Sequence, residues 1–151
     1  MEQIVVASLI CTVLVTACFY VHYIALRLFA VTISRLQNEV RRPMLYVLTG
    51  VFAAHLVEVL LFALAFYLMH WSSWLGALEG LGEGGADQFV HYFYFSITTF
   101  TTLGVGDIIP TGALRIVAGI EALMGLMLIA WSASFSYLMM EKLWSGSEAG
   151  E

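Results

Sequence analysis

Three uninterrupted apolar stretches decide what this chain can fold into: Ile4 to about Leu26, Met44 to about Met69, and Ala113 to Met140. Crossing the hydrocarbon core of a bilayer takes about 20 apolar residues in a helix, and each stretch is long enough. Composition agrees. Hydrophobic residues make up 61% of the 151 residues and charged ones 11%, against roughly 25% charged in soluble domains. Such a chain needs a lipid bilayer around it, and its length accommodates one membrane domain without a sizeable soluble one. The net charge of -5 is modest, and no basic cluster suggests nucleic acid as a partner.

The first stretch follows a single acidic residue, Glu2, and lacks a small-residue cleavage pattern after a short apolar core. It reads as a retained helix, continuing towards Ser34, and not as a signal peptide. Pro43 and Pro110 precede the second and third stretches, and Pro43 suits a first helical turn. Cys11 and Cys18 would lie roughly 10 Å apart along a helix, too far for a disulfide. They read as small residues facing protein or lipid.

Between the second and third stretches the character changes. Residues 71–86 are rich in Gly, Ser and Glu and read as a loop. Asp87 is placed to cap a helix that runs from Gln88 to Phe100. Such a helix spans roughly 20 Å, short of a crossing, which predicts a re-entrant half-helix. Thr101 to Pro110 then holds two glycines and a proline, so it cannot be ordinary helix. Non-helical backbone at membrane depth survives only buried in protein or lining a watery cavity. The expected fold is therefore an all-α membrane protein with three transmembrane helices, a re-entrant pore helix and an irregular filter loop.

Charge sets the expected orientation. Arg27, Arg35, Arg41 and Arg42 cluster around the first link and Lys142 follows the last helix, while Glu79, Glu83, Asp87 and Asp107 fall in a stretch without Lys or Arg. Basic residues stay on the cytoplasmic side, which places the amino terminus outside and the carboxyl terminus inside. Arg115 is the exception. Trp71 and Trp74 on one side, and Trp144 on the other, fit interfacial anchors. Arg27 is expected to snorkel.

The segment that carries chemistry is Ser96-Ile-Thr-Thr-Phe-Thr-Thr-Leu-Gly-Val-Gly-Asp107. A potassium ion entering a membrane must exchange its hydration shell for other oxygens, and rings of backbone carbonyls supply them. Pointing successive carbonyls one way requires backbone angles of alternating hand, which Gly104 and Gly106 adopt freely. Thr102 can add a hydroxyl oxygen. Leu103 and Val105 are expected to point back against the half-helix, whose negative carboxyl end faces the cavity.

Thr-Leu-Gly-Val-Gly-Asp resembles the potassium-channel signature Thr-Val-Gly-Tyr-Gly-Asp. The Thr-Thr run before it, Pro110 and Arg115 also resemble that pore region, over about Ala53 to Met140. The likeness is to small bacterial channels with two pore helices per subunit, here with an extra leading helix. It implies a homotetramer in a cell membrane, with potassium as the permeant ion and no cofactor. On that likeness, residues 1–36 form the additional helix and 43–142 the pore domain. The pore domain divides into outer helix 44–70, extracellular loop 71–86, pore helix 87–100, filter 101–107 and inner helix 113–141, with 143–151 a short cytoplasmic tail. Thr102, Leu103, Gly104, Val105 and Gly106 would bind the ion, with Thr98, Thr101 and Asp107 supporting them. Val105 stands where the family has Tyr, and Thr98 where some members carry a Glu that braces the filter through the matching Asp.

The last stretch holds further candidates. Gly125 matches a family hinge glycine, although close packing would equally ask for glycine; Gly119 reads as packing. Leu126, Ile129 or Ala130, Ala133 and Tyr137 share a helical stripe that would line the cavity and gate, or face lipid. Glu121 is roughly 140° round the helix from Leu126. An acidic residue in a span suggests function; it would brace the filter from behind through Thr98 or a neighbour, or sit protonated in a helix–helix hydrogen bond.

His55 and Glu58 lie one turn apart and are expected to pair structurally. A pH sensor is the alternative, and a metal would want more ligands than this pair. His22, His70 and His91 read as ordinary packed or interfacial residues. Glu79, Glu83 and Asp87 would concentrate cations at the outer mouth or simply solvate a loop. No nucleophile with a base and no phosphate-cradling loop points to an enzyme. The rival expectations are a poorly selective cation channel of the same architecture and a non-conducting accessory subunit.

Overall fold

The structure, a computed structural model, describes residues 1–36, 43–82 and 89–148, with side chains for 1–33, 43–82 and 89–144. Helix α1 runs Glu2–Leu36, α2 Pro43–Trp71, the short α3 Phe89–Phe100, and α4 Leu114–Glu148. Three of these helices are long and apolar enough to cross a membrane. At about 1.5 Å per residue, the 35 residues of α1 and of α4 exceed the roughly 30 Å hydrocarbon core. The 12 residues of α3 fall short of it. Two-residue strands complete the chain, β1 at Leu78–Glu79 and β2 at Ile109–Pro110.

Helix α1 packs on both α2 and α4, and α3 is wedged between α2 and α4. The buried face of α1 is a single stripe: Ala7, Cys11, Cys18, His22, Leu26 and Ile33. Its spacings of four and seven residues keep one side of a helix against a partner. Both cysteines are free and in this stripe, facing protein and not lipid.

Aromatic rings fill the space around α3. Phe66 meets Phe95 edge-on at 4.9 Å, and Tyr67 meets Tyr92 at 5.3 Å, geometries that ring quadrupoles favour. A second, smaller core of Leu26, Ile33, Val47, Val51 and Met139 joins the other ends of α1, α2 and α4. There Gly50 lets the two helices close, since a Cβ on it would fall inside the Phe29 ring.

Some sequence expectations change. Residues 71–86 are not only loop: β1 pairs antiparallel with β2, Leu78 opposite Pro110 and Glu79 opposite Ile109. Backbone pairing across so short a segment leaves no mark on periodicity. Helix α4 runs on past residue 141 to Glu148. The Asp87 cap, Glu83, and the side chains of Arg35, Arg41 and Arg42 lie outside the described residues. Arg27 is exposed, as are Trp71, Trp74 and Trp144.

Candidate functional site

The site is the segment that leaves α3. The last turn closes normally, with Thr101 N–H donating to the Ile97 carbonyl and Thr102 N–H to that of Thr99. The chain then turns back along the helix end, and Gly104 N–H donates to the Thr98 carbonyl at 3.1 Å. From here every second residue is left-handed: φ is +58° at Thr102, +55° at Gly104 and +86° at Gly106. Alternation of hand turns successive peptide carbonyls towards the same side. Glycine accepts such angles without penalty, whereas Thr102 carries a Cβ and is held there at a cost of roughly 1–2 kcal/mol. Sequence reasoning located the two glycines and missed the strained threonine.

Residues 101–107 are all exposed in the single chain, although α3 behind them is buried on several faces. Val105 lines a recess with Phe95, Thr98, Asp107 and Ala118, between α3 and α4. Leu103 does not behave as expected. It is 68% exposed and finds no cover among the described residues.

Asp107, at the far end of the strand, is fixed twice. Its carboxylate accepts the Tyr94 hydroxyl at 2.9 Å and the Ile108 N–H at 3.0 Å. Tyr94 thus ties the end of the strand to α3. The hydrogen bond to Asp107, foremost, pushes the Tyr94 phenol above its ordinary value. The strand pair adds a second restraint: Gly80 sits so close to the Asp107 carbonyl that a Cβ there would collide with the oxygen. Neither Tyr94 nor the strap has a signal in a single sequence.

Behind the half-helix, Glu121 is fully buried and meets Ser96, not Thr98. Thr98 Oγ1 instead donates to the Phe95 carbonyl at 2.9 Å, so its bond to the strand is made by its main-chain oxygen. Ser96 Oγ lies 2.5 Å from Glu121 Oε1 and 2.8 Å from the Val59 carbonyl. A hydroxyl has one hydrogen. Both contacts are satisfied when Ser96 donates to Val59 and accepts from a protonated Glu121. The carboxyl therefore ties α4 to α3, and through Ser96 to α2, at a neighbour of Thr98. Thr101 Oγ1 turns back to the Ile97 carbonyl at 2.7 Å.

On α4, Leu126, Ile129, Ala133 and Tyr137 are exposed along one side, opposite the buried Glu121. Gly125 lies in unbroken helix against the end of α3, where the need for close approach accounts for it. Gly119 faces open space, and a Cβ on it would meet nothing within 4 Å among the described residues.

With this geometry in view, the comparison with known families is decisive. The ion channel family model matches residues 54–142, a span that takes in the half-helix, the left-handed strand and nearly all of α4. The chain belongs to the ion channel family. No curated protein and no solved structure matches it. The channel is thus a multi-pass membrane protein that conducts ions, and α1 lies ahead of the matched span.

The remaining sequence candidates fall away from the strand. His70 Nδ1 accepts the Leu78 N–H at 3.0 Å, holding β1 to the end of α2. His91 is half-buried on α3 with its Nε2 unbonded. His55 and Glu58 do pair, at 2.9 Å, but His22 joins them from α1 at the same distance. His22 is therefore not the ordinary packed residue expected from its position.

Proposed function

We propose that the channel conducts potassium selectively through a homotetrameric pore, with the carbonyls of Thr102, Leu103, Gly104, Val105 and Gly106 replacing the water of the dehydrating ion. The observation that carries this reading is an exposed left-handed-alternating strand at the end of a half-helix too short to cross the bilayer. Lipid cannot satisfy such a strand; a water- and ion-filled axis shared with other copies can. Leu103, bare in one chain, finds its cover on a neighbouring copy. The exposed stripe of Leu126, Ile129, Ala133 and Tyr137 lines the cavity, and the carbonyl end of α3 favours a cation there. By the charge rule the strand end faces outward, the amino terminus is outside, the carboxyl terminus is cytoplasmic, and the membrane is the cell membrane. Glu79, exposed beside the strand, draws cations to the mouth.

Purified channel in planar bilayers, with potassium on one side and sodium on the other, tests this. A reversal potential close to that of potassium is expected, and crosslinking should end at four chains. Strong sodium permeation overturns the selectivity; a silent monomer overturns conduction.

A further inference from the structure

Ionisable side chains inside membrane helices are expensive and keep to partnered positions. Helices α1, α2 and α4 each contribute to one such group. His22 Nδ1 lies 2.9 Å from Glu58 Oε1, and His55 Nδ1 lies 2.9 Å from Glu58 Oε2. On the far side of both rings, Ser132 Oγ is 3.2 Å from His22 Nε2 and 3.1 Å from His55 Nε2. The four contacts close on themselves. His22 and Glu58 are fully buried and Ser132 nearly so, between the two apolar cores of the molecule. The Trp131 ring lies tilted against His22 at 5.3 Å, and Phe100 meets His55 edge-on at 5.7 Å.

Hydrogen counting shows what the cluster can hold. Ser132 has one hydroxyl hydrogen and two Nε2 neighbours, so at least one Nε2 must carry its own hydrogen. When both do, the two lone pairs of Ser132 Oγ accept both. Each Nδ1 is then a bare lone pair aimed at the Glu58 carboxylate. Two lone pairs facing one carboxylate call for a cation between them. The donor atoms of His22, His55 and Glu58 lie within 4.8 Å of one another. Two imidazoles and a carboxylate are a donor set that zinc and its neighbours accept. His55 and Glu58 are spaced i, i+3 on one helix, a spacing that helical bundles use for metal ligands. Ser132 stands where metal sites place the outer group that fixes imidazole orientation.

We propose that His22, His55 and Glu58 form a binding site for a divalent first-row transition metal of the zinc class, oriented by Ser132. Metal–ligand bonds of about 2.0–2.2 Å set neighbouring ligand atoms roughly 3.3 Å apart, so the pairs at 2.9 Å open by a few tenths of an ångström and any wider separation, up to 4.8 Å, draws in. The metal-free ring with all four hydrogen bonds made holds one proton beyond a carboxylate and two neutral imidazoles. The incoming ion takes the place of that proton, which leaves to solvent. The ion links α1 to α2 directly and, through Ser132, holds α4. Helix α1 thereby clamps α4 when metal is bound.

The test uses full-length, metal-stripped channel in detergent, titrated with cobalt(II) chloride by visible absorption and with zinc chloride by calorimetry in weak buffer. One ion per chain, cobalt bands of nitrogen and oxygen ligation, and one proton released per ion are expected. Glu58→Gln should abolish uptake, Ser132→Ala should weaken it about 10- to 100-fold, and His91→Gln should leave it unchanged. Absence of uptake by the wild-type chain, or uptake that survives Glu58→Gln, overturns the site. Proton binding without metal binding also overturns it, by making the cluster a proton store. If Glu58→Gln does not fold, unchanged affinity in Ser132→Ala, which loses no ligand, is equally fatal to the proposal.

Discussion

Gly125 of α4 lies so closely against the carbonyl of Phe100, the last residue of α3, that a Cβ at 125 would collide with that oxygen. The obstacle is backbone and cannot swing aside. Gly125→Ala should force α3 and α4 apart at a cost of about 1–3 kcal/mol, read as a lower melting temperature in detergent. Gly119→Ala, with nothing within 4 Å, should gain up to about 1 kcal/mol of helix propensity. Equal melting temperatures for the two variants would remove the packing argument.

Tyr94→Phe deletes the donor to Asp107 and leaves the ring in place. The fold should persist while current through the channel decays faster during sustained activity, measured in bilayers. The pH dependence has a definite sign. Because the phenol is raised above its ordinary value of 10.0, what the bond contributes is complete below about pH 10 and disappears as pH rises through the raised value. Wild type should therefore approach the Tyr94→Phe behaviour only in strong alkali. Identical decay in the two proteins at neutral pH would show that the bond does not steady the strand.

Glu121→Gln preserves a hydrogen-bond donor opposite Ser96, so stability should change by less than about 1 kcal/mol. Glu121→Ala removes the donor and leaves a buried gap, for a loss of about 2–4 kcal/mol. Ser96→Ala should lie between them, since it strands both Glu121 and the Val59 carbonyl. Chemical unfolding of the three variants in mixed micelles orders them; a Gln variant as unstable as the Ala variant would mean that Glu121 is not held as a neutral acid.

Gly104→Ala places a Cβ at φ +55° with nothing within 4 Å of it. Space is not the obstacle; backbone hand is, by roughly 1–2 kcal/mol. The helices should assemble and melt nearly as wild type, while ion flux in reconstituted vesicles falls at least tenfold because the carbonyls no longer align. Unchanged flux would detach the strand from conduction.

Much of this architecture is one-dimensional information. A run of apolar residues longer than a bilayer is thick can only be a crossing helix, so α1, α2 and α4 were readable from Ile4, Met44 and Ala113 onward. A half-length apolar run ending in Thr-rich sequence, followed by Gly104 and Gly106, marked α3 and the strand as well, because glycine at alternate positions is a statement about backbone angles.

The faces of those helices are another matter. In water, burial separates apolar from polar residues; in lipid both sides of a helix are apolar, so nothing in the sequence said that Cys11, Cys18 and Leu26 face protein while Leu9 and Leu28 do not. The same blindness hid His22 from Glu58, 36 positions away, and Tyr94 from Asp107. Polar partners within a membrane protein are chosen by how the helices rotate and cross. What the residue order determined is where the backbone crosses, where it turns back and where it is left-handed. Which side chains meet, and so how the strand is tied to α3 and how α1 is attached, was decided only when three apolar cylinders packed and their few polar groups had nowhere else to go.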